Sequence, residues 1–195
     1  LLGWMEDFQP AGLIRAFGAS VETLEEALEL VTHPGLTSLQ IIFNLFRQNA
    51  IDALFPLAEA NEVGIIARLP LASGVLSGKM RHGQSFAESD HRHYNSRGEV
   101  FSQGETFSGL PFDQAIDRVE EIRGWVPAGM SMAQMAMRWI LDYPAVSTVI
   151  TGASRPEQVL ENASVSRLEP LPQALHARLA EFYRRKVEPA IVVPV

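Results

Sequence analysis

Two stretches of the chain combine small residues with a cation in an order suited to holding an anion. Gly152-Ala-Ser-Arg155 leads from an apolar run straight into Pro156-Glu157, where a helical pattern opens. A helix N-terminus presents backbone N–H groups that no intrahelical carbonyl satisfies. Phosphate is favoured there, and a guanidinium at Arg155 adds a forked, charged contact. Pro70 to Gly78 is rich in small residues and ends at Lys79. Such a segment lets backbone approach a ligand closely, and Lys79 adds a point charge. A plainer reading stands beside each: Ser154 as a helix cap, and Arg155 and Lys79 as solvated surface charges.

Other chemistries find less support. His82, His91 and His93 could ligate a metal, but they have no partner at a defined helical spacing, and solvated loop histidines are the simpler reading. Ser73 and Ser154 lack evident His and Asp partners for a nucleophilic triad. The chain has no cysteine, which removes disulfides and thiolate chemistry. No G-x-G-x-x-G occurs, which removes the usual Rossmann argument.

The elements that must position these residues follow from periodicity. Leu13 to Ala19, Leu39 to Phe43, Gly64 to Leu69 and Val146 to Ile150 read as strands. Val21, Leu24, Leu28 and Val31 follow helical spacing up to Pro34-Gly35. Ile51, Leu54, Leu57 and Ala58 do so after Asn49, a candidate cap. Phe112, Ile116, Val119 and Ile122 mark a further helix. Ser131-Met-Ala-Gln134 and Ser154-Arg-Pro-Glu157 have the form of capping boxes. Leu175, Leu179 and Phe182 suggest a last helix. Glu22, Glu25, Glu26 and Glu29 read as a wet helix face, and Met130, Met132, Met135 and Met137 as core fill. Between Ala72 and Leu110 the pattern breaks, and loops longer than about 15 residues are usually functional or disordered.

Strands that each lead into a helix imply a parallel sheet with right-handed crossovers, and near-continuous apolar runs predict strands covered on both faces. Two architectures fit: a doubly wound sheet, or part of a (β/α)8 barrel. A whole barrel needs about 250 residues and eight strands, so four units would be half of one. In either case ligands gather at the C-terminal ends of the strands.

The 195 residues carry 16 Lys+Arg against 23 Asp+Glu, a net charge of -7, which argues against nucleic acid or an anionic membrane as partner. Hydrophobic residues make up 47%, enough to build a core. No apolar run approaches the roughly 20 residues of a membrane span. No basic segment and cleavage site of an export signal is visible, so a cytoplasmic protein is expected. Leu1, Met5 and Phe8 recur at helical spacing and Gly12 stands at a helix end. This reads as the tail of a helix whose start is missing, and a chain truncated at its N-terminus is expected.

Four segments together resemble the aldo-keto reductases. Gly64-Ile-Ile-Ala-Arg-Leu-Pro-Leu-Ala-Ser-Gly-Val-Leu-Ser-Gly-Lys79 is similar to that family's seventh strand and loop. Thr151-Gly-Ala-Ser-Arg-Pro-Glu-Gln-Val-Leu-Glu-Asn162 is similar to its eighth strand and helix. Leu13 to Ser20 and Gln40 to Asn44 resemble its fifth and sixth strands. The resemblance covers nearly the whole chain. It implies the C-terminal half of one (β/α)8 TIM barrel domain over residues 1–195, with a long cofactor-covering loop at about 72–110. It also implies NADP(H) held without a Rossmann fold.

Carried over position by position, Ser20 and Gln40 match the residues that hold the nicotinamide carboxamide, and Arg68 stands where an aromatic often lies against the ring. Leu69, Leu71, Ser73 and Lys79 match the pyrophosphate loop. Gly152, Ser154 and Arg155 match the 2′-phosphate site, and Gln158, Glu161 and Asn162 the adenine and ribose contacts. Val21 departs from a frequent Asn. The family's catalytic Asp, Tyr, Lys and His belong to strands that this sequence does not contain. The implied parent is an NADPH-dependent oxidoreductase acting on a small aldehyde or ketone, with this fragment alone inactive and prone to self-association. The alternative is a non-catalytic NADP-binding or regulatory module, a role the potassium-channel beta subunits illustrate.

Overall fold

Four strands pair side by side in chain order, and every pairing is parallel. They are β1 (Phe17–Ser20), β2 (Leu36–Ile42), β3 (Gly64–Arg68) and β4 (Val146–Val149). This computed structural model describes residues 2–193, so Leu1, the first member of the N-terminal helical spacing, lies outside the described residues. The helices are α1 (Leu2–Phe8), α2 (Leu24–Leu30), α3 (Ala50–Ala60), the four-residue α4 (His91–Tyr94), α5 (Phe112–Arg123), α6 (Met132–Leu141), α7 (Pro156–Ser164) and α8 (Gln173–Phe182). No helix among the described residues is long and apolar enough to cross a membrane.

Local chemistry explains where the helices begin. Thr23 and Glu26 close a capping box on α2, and Ser131 and Gln134 close the predicted one on α6. Asn49 stands at the N-cap of α3 but makes no side-chain cap bond. Met132, Met135, Ala136, Trp139 and Ile140 form one buried stripe of α6. Trp139 stacks on Phe43 at 4.9 Å between centroids, and Phe55 and Tyr143 meet Phe43 edge-on at 4.8 and 5.3 Å. This aromatic cluster lies within the main core, with Leu39, Ile41, Ile65 and Ala67 contributed by the middle strands.

Three expectations need correction. The first strand starts at Phe17, not Leu13, which is 70% exposed. Leu13 is used to end α1 instead: its N–H donates to the Phe8 carbonyl at 3.0 Å, with Gly12 in the left-handed region. The box at α7 slips by one residue. Arg155 is the N-cap and Pro156 the first helical residue, so Gln158 rather than Glu157 reaches back.

The third correction is that the strands are not covered by apolar packing on both faces. One face, with Phe17, Leu39, Ile41, Ile65 and Ala67, is buried. The other carries Gly18, Ser38, Gly64 and Ser147, then Ser20, Gln40, Ile66 and Thr148, none of them buried. A Cβ on Gly18 would strike Ser38, and one on Gly64 would lie 2.5 Å from the Ser147 hydroxyl. Side chains from alternate strands thus fill the space above glycines on the strands between them. Alternate-strand layering of this kind lines the inside of a closed barrel.

Candidate functional site at the strand ends

Ser20 closes β1 and lies in register with Gln40, whose Nε2 donates to the Ser20 hydroxyl at 2.9 Å. Val21 follows; its N–H donates to the Gln40 carbonyl at 3.0 Å and its side chain is buried. Arg68 closes β3. Its guanidinium donates to the Val21 carbonyl at 2.9 Å and pairs with the Glu105 carboxylate. Its Nε–H is buried and has no hydrogen-bond partner among the described residues. Burial pulls the Arg68 pKa down, opposed by the Glu22 carboxylate.

Beyond Arg68 the chain turns through left-handed backbone, at Leu69 (φ 55°) and then at Ala72, Ser73 and Gly74 (φ 47°, 57° and 93°). Such conformations cost an L-residue about 1–2 kcal/mol each and persist only where surroundings fix them. Here a second left-handed turn does so: Phe107, Ser108 and Gly109, at φ 53°, 59° and 81°. The Ser73 hydroxyl donates to the Glu105 carbonyl at 3.0 Å and accepts from the Phe107 N–H at 3.2 Å. Asn44, fully buried, donates to the Leu69 carbonyl at 2.9 Å and to the Ser108 hydroxyl at 2.8 Å, and accepts from the Phe46 N–H at 2.8 Å. The 72–110 segment, broken only by α4 and short 3-10 turns, is therefore not a free loop. It leaves the end of β3 and returns to it as a strap.

Leu71 is half-buried against the core. Lys79 is exposed, and its ammonium makes no hydrogen bond or ion pair among the described residues. The turn that carries it is held from α5, where Arg123 donates to the Gly78 carbonyl at 3.0 Å. His82 bridges Asp113 and Asp117 of α5, its two ring nitrogens each 3.0 Å from a carboxylate oxygen. His91 instead lies 3.6 Å from Asp90.

The second cluster follows β4. The Gln158 side-chain oxygen accepts from the Ser154 N–H at 2.7 Å, the Ser154 hydroxyl at 3.1 Å and the Arg155 N–H at 3.1 Å. Gln158 thus occupies part of the amide cradle before α7. Asn162 Nδ2 lies 3.5 Å from the Gly152 carbonyl, and Glu161 is exposed. A Cβ on Gly152 would meet nothing within 4 Å, so this turn stays open. Arg155 is exposed and makes no ion pair among the described residues. A groove of about 590 Å³ runs past Ser154, Arg155, Pro156, Val159 and Leu160.

The predicted residues therefore form two groups on adjacent strand ends: Ser20, Gln40, Arg68 and Ser73, and then Gly152, Ser154, Arg155, Gln158 and Asn162. The sequence reading missed Asn44, Glu105 and Ser108. Asn44 had a signal, a polar residue directly after the apolar run Ile41 to Phe43. Glu105 and Ser108 had none, because only the return of the strap brings them to β3.

A family model described as the aldo/keto reductase family matches residues 1–184. The aldo-keto reductase YhdN of Bacillus subtilis (strain 168) is 28% identical over 155 residues, 80% of this chain and 45% of its own length. A probable voltage-gated potassium channel subunit beta of Oryza sativa subsp. japonica is 32% identical over 135 residues, 66% of this chain and 38% of that protein. Among solved structures, the glycerol dehydrogenase AKR11B4 from Gluconobacter oxydans has the same fold. Its TM-score is 0.73 at 23% identity, over 98% of this chain and 55% of that one. The holo form of aldo-keto reductase AKR11C1 from Bacillus halodurans gives 0.65 at 20%, over 90% and 52%. The chain spans about half the length of the proteins it matches. Its four parallel strands correspond to part of their barrel, and the chain belongs to the aldo/keto reductase family.

Proposed function

We propose that this chain is the C-terminal, cofactor-holding half of an NADP(H)-dependent carbonyl oxidoreductase. The observation that carries this is the set of polar groups at neighbouring strand ends: Gln40 bonded to Ser20, with the Arg68 guanidinium reaching the Val21 carbonyl that follows Ser20. The residues present fit a dinucleotide. Among the described residues, Arg68 keeps a buried Nε–H without a partner and Lys79 and Arg155 are cations without ion pairs, and Gly152 leaves its turn open.

In this reading Ser20 and Gln40 orient the carboxamide and Arg68 lies against the ring. Leu69, Leu71, Ser73 and Lys79 border the pyrophosphate, and Gly152, Ser154 and Arg155 receive the 2′-phosphate. Gln158, Glu161 and Asn162 face the adenosine. When bound, the cofactor supplies the hydride that reduces a carbonyl carbon. The proton comes from a tyrosine on strands outside this chain, so the 195 residues by themselves turn over no aldehyde or ketone.

The test is Arg155→Ala in the full-length protein. A guanidinium on the 2′-phosphate contributes about 1.5–3 kcal/mol. NADPH binding should weaken correspondingly while NADH binding stays nearly unchanged; equal losses for both would refute the assignment. The similarity to a potassium channel subunit beta supports a second reading, a regulatory NADP-binding module. The coding frame upstream of Leu1 separates the two. An Asp, Tyr, Lys and His along four further strand–helix units favours the enzyme, and a start codon close before Leu1 favours the module.

A further inference from the structure

The strap does more than cover the end of β3: it brings a carboxylate to the one cation on the strand that the proposed function sets against the nicotinamide. Arg68 and Glu105 form an ion pair 37 residues apart in sequence, with side chains only 13% and 22% exposed. Water therefore screens it weakly. The other charges that act on Arg68 are Glu22 and Arg47, of opposite sign.

The two oxidation states of the cofactor differ at this spot by a whole charge. The oxidised nicotinamide ring is a cation and the reduced ring is neutral. A bare guanidinium against the ring repels the oxidised form alone, and a carboxylate bound to that guanidinium cancels most of the repulsion. We infer that Glu105 is a specificity-determining residue: by neutralising Arg68 it lets the site hold oxidised as well as reduced cofactor. This rests on the proposed placement of the nicotinamide beside Arg68.

The backbone of the strap is fixed without the Glu105 carboxylate. The Ser73 hydroxyl holds the Glu105 carbonyl and the Phe107 N–H, and Asn44 holds Ser108. Glu105→Gln therefore removes a charge while the strap keeps its anchors.

The experiment titrates the full-length protein separately with NADP+ and NADPH, following quenching of intrinsic tryptophan fluorescence. E105Q should raise the Kd for NADP+ about tenfold relative to that for NADPH, equivalent to about 1.4 kcal/mol. R68M leaves the carboxylate without its cation and should move the ratio the other way, by at least about threefold. The R68M/E105Q double variant should fall between the two. A purely structural role would weaken both cofactors together. An unchanged NADP+/NADPH ratio in E105Q and R68M would overturn the inference while leaving cofactor binding intact. If E105Q loses its fold by circular dichroism, the direction of the R68M shift decides alone. A wild-type protein that binds neither cofactor would overturn the proposed function, and this inference with it.

Discussion

Replacing Asn44 by alanine should be among the more damaging single changes to this chain. The side chain is fully buried and satisfies the Leu69 carbonyl, the Phe46 N–H and the Ser108 hydroxyl. Leu69 is half-buried, so its carbonyl can turn towards water once released. Phe46 and Ser108 are fully buried and cannot. A buried polar group left without its partner costs about 1–3 kcal/mol, so two of them cost about 2–6 kcal/mol. A domain is stable by only about 5–15 kcal/mol. At roughly 2–4 °C per kcal/mol for a chain of this size, the midpoint of thermal unfolding should fall by about 4–24 °C. Ser108→Ala removes both bonds between the two side chains and leaves Asn44 with its bonds to Leu69 and Phe46, so it should cost about 1–3 kcal/mol. Thermal melts of both variants, with hydrogen exchange of the 102–110 amides, make the check. Asn44→Ala with a melt within 3 °C of the parent and unchanged exchange would refute the view that this side chain fastens the strap.

Further outcomes follow from other contacts. Gly18→Ala should destabilise by about 1–3 kcal/mol, because the new Cβ would lie 2.5 Å from the Ser38 carbonyl oxygen; Gly152→Ala, with open space around it, should melt within about 1 kcal/mol of the parent. His82, hydrogen-bonded first of all by Asp113 and then acted on by Asp117, has its pKa raised. A raised pKa means that its contribution to stability is complete below the ordinary histidine range and is lost as pH climbs through the folded-state value. NMR titration should show a late His82 midpoint that moves down towards the ordinary range in Asp113→Asn while Asp117 still holds part of the rise, and an unaltered midpoint would contradict the bridge. The isolated chain should self-associate through β1 and β4, whose outer edges pair with no strand among the described residues, aided by exposed Ile150, Val159 and Leu160. A single monomeric species in sedimentation velocity would refute it.

Much of the architecture was legible because parallel βα units write their alternation into the sequence. Gly64 to Leu69 gave β3 to within a residue, Leu39 to Phe43 found β2 but missed its first three residues from Leu36, and the Ser131–Gln134 box placed α6. Leu13 misled because an apolar residue next to a helix-ending glycine looks like a strand start until the Phe8 carbonyl claims its N–H. The register at α7 misled because Ser-x-x-Glu and Arg-x-x-Gln overlap there, and the proline fixed the choice. In the candidate site, Ser20 and Gln40 were named only through the family resemblance, and the parallel register of β1 and β2 puts the two side chains side by side. Glu105 was not legible, since its meaning lies in a contact across 37 residues that no local pattern encodes.

The strap also has a consequence for the order of folding. β1, β2 and β3 pair with near neighbours in the chain, whereas the Asn44–Ser108 bond closes a separation of 64 residues. Closing a longer loop costs more entropy before any contact rewards it. The strap should therefore dock after β1, β2 and β3 have paired, and its contacts should be absent from the rate-limiting barrier. Interactions made late hold a protein kinetically: their loss steepens escape from the native state and leaves the approach to it untouched. Asn44 and Ser108 then act as a latch on the unfolding rate, and the strand ends stay assembled for as long as that latch stays shut.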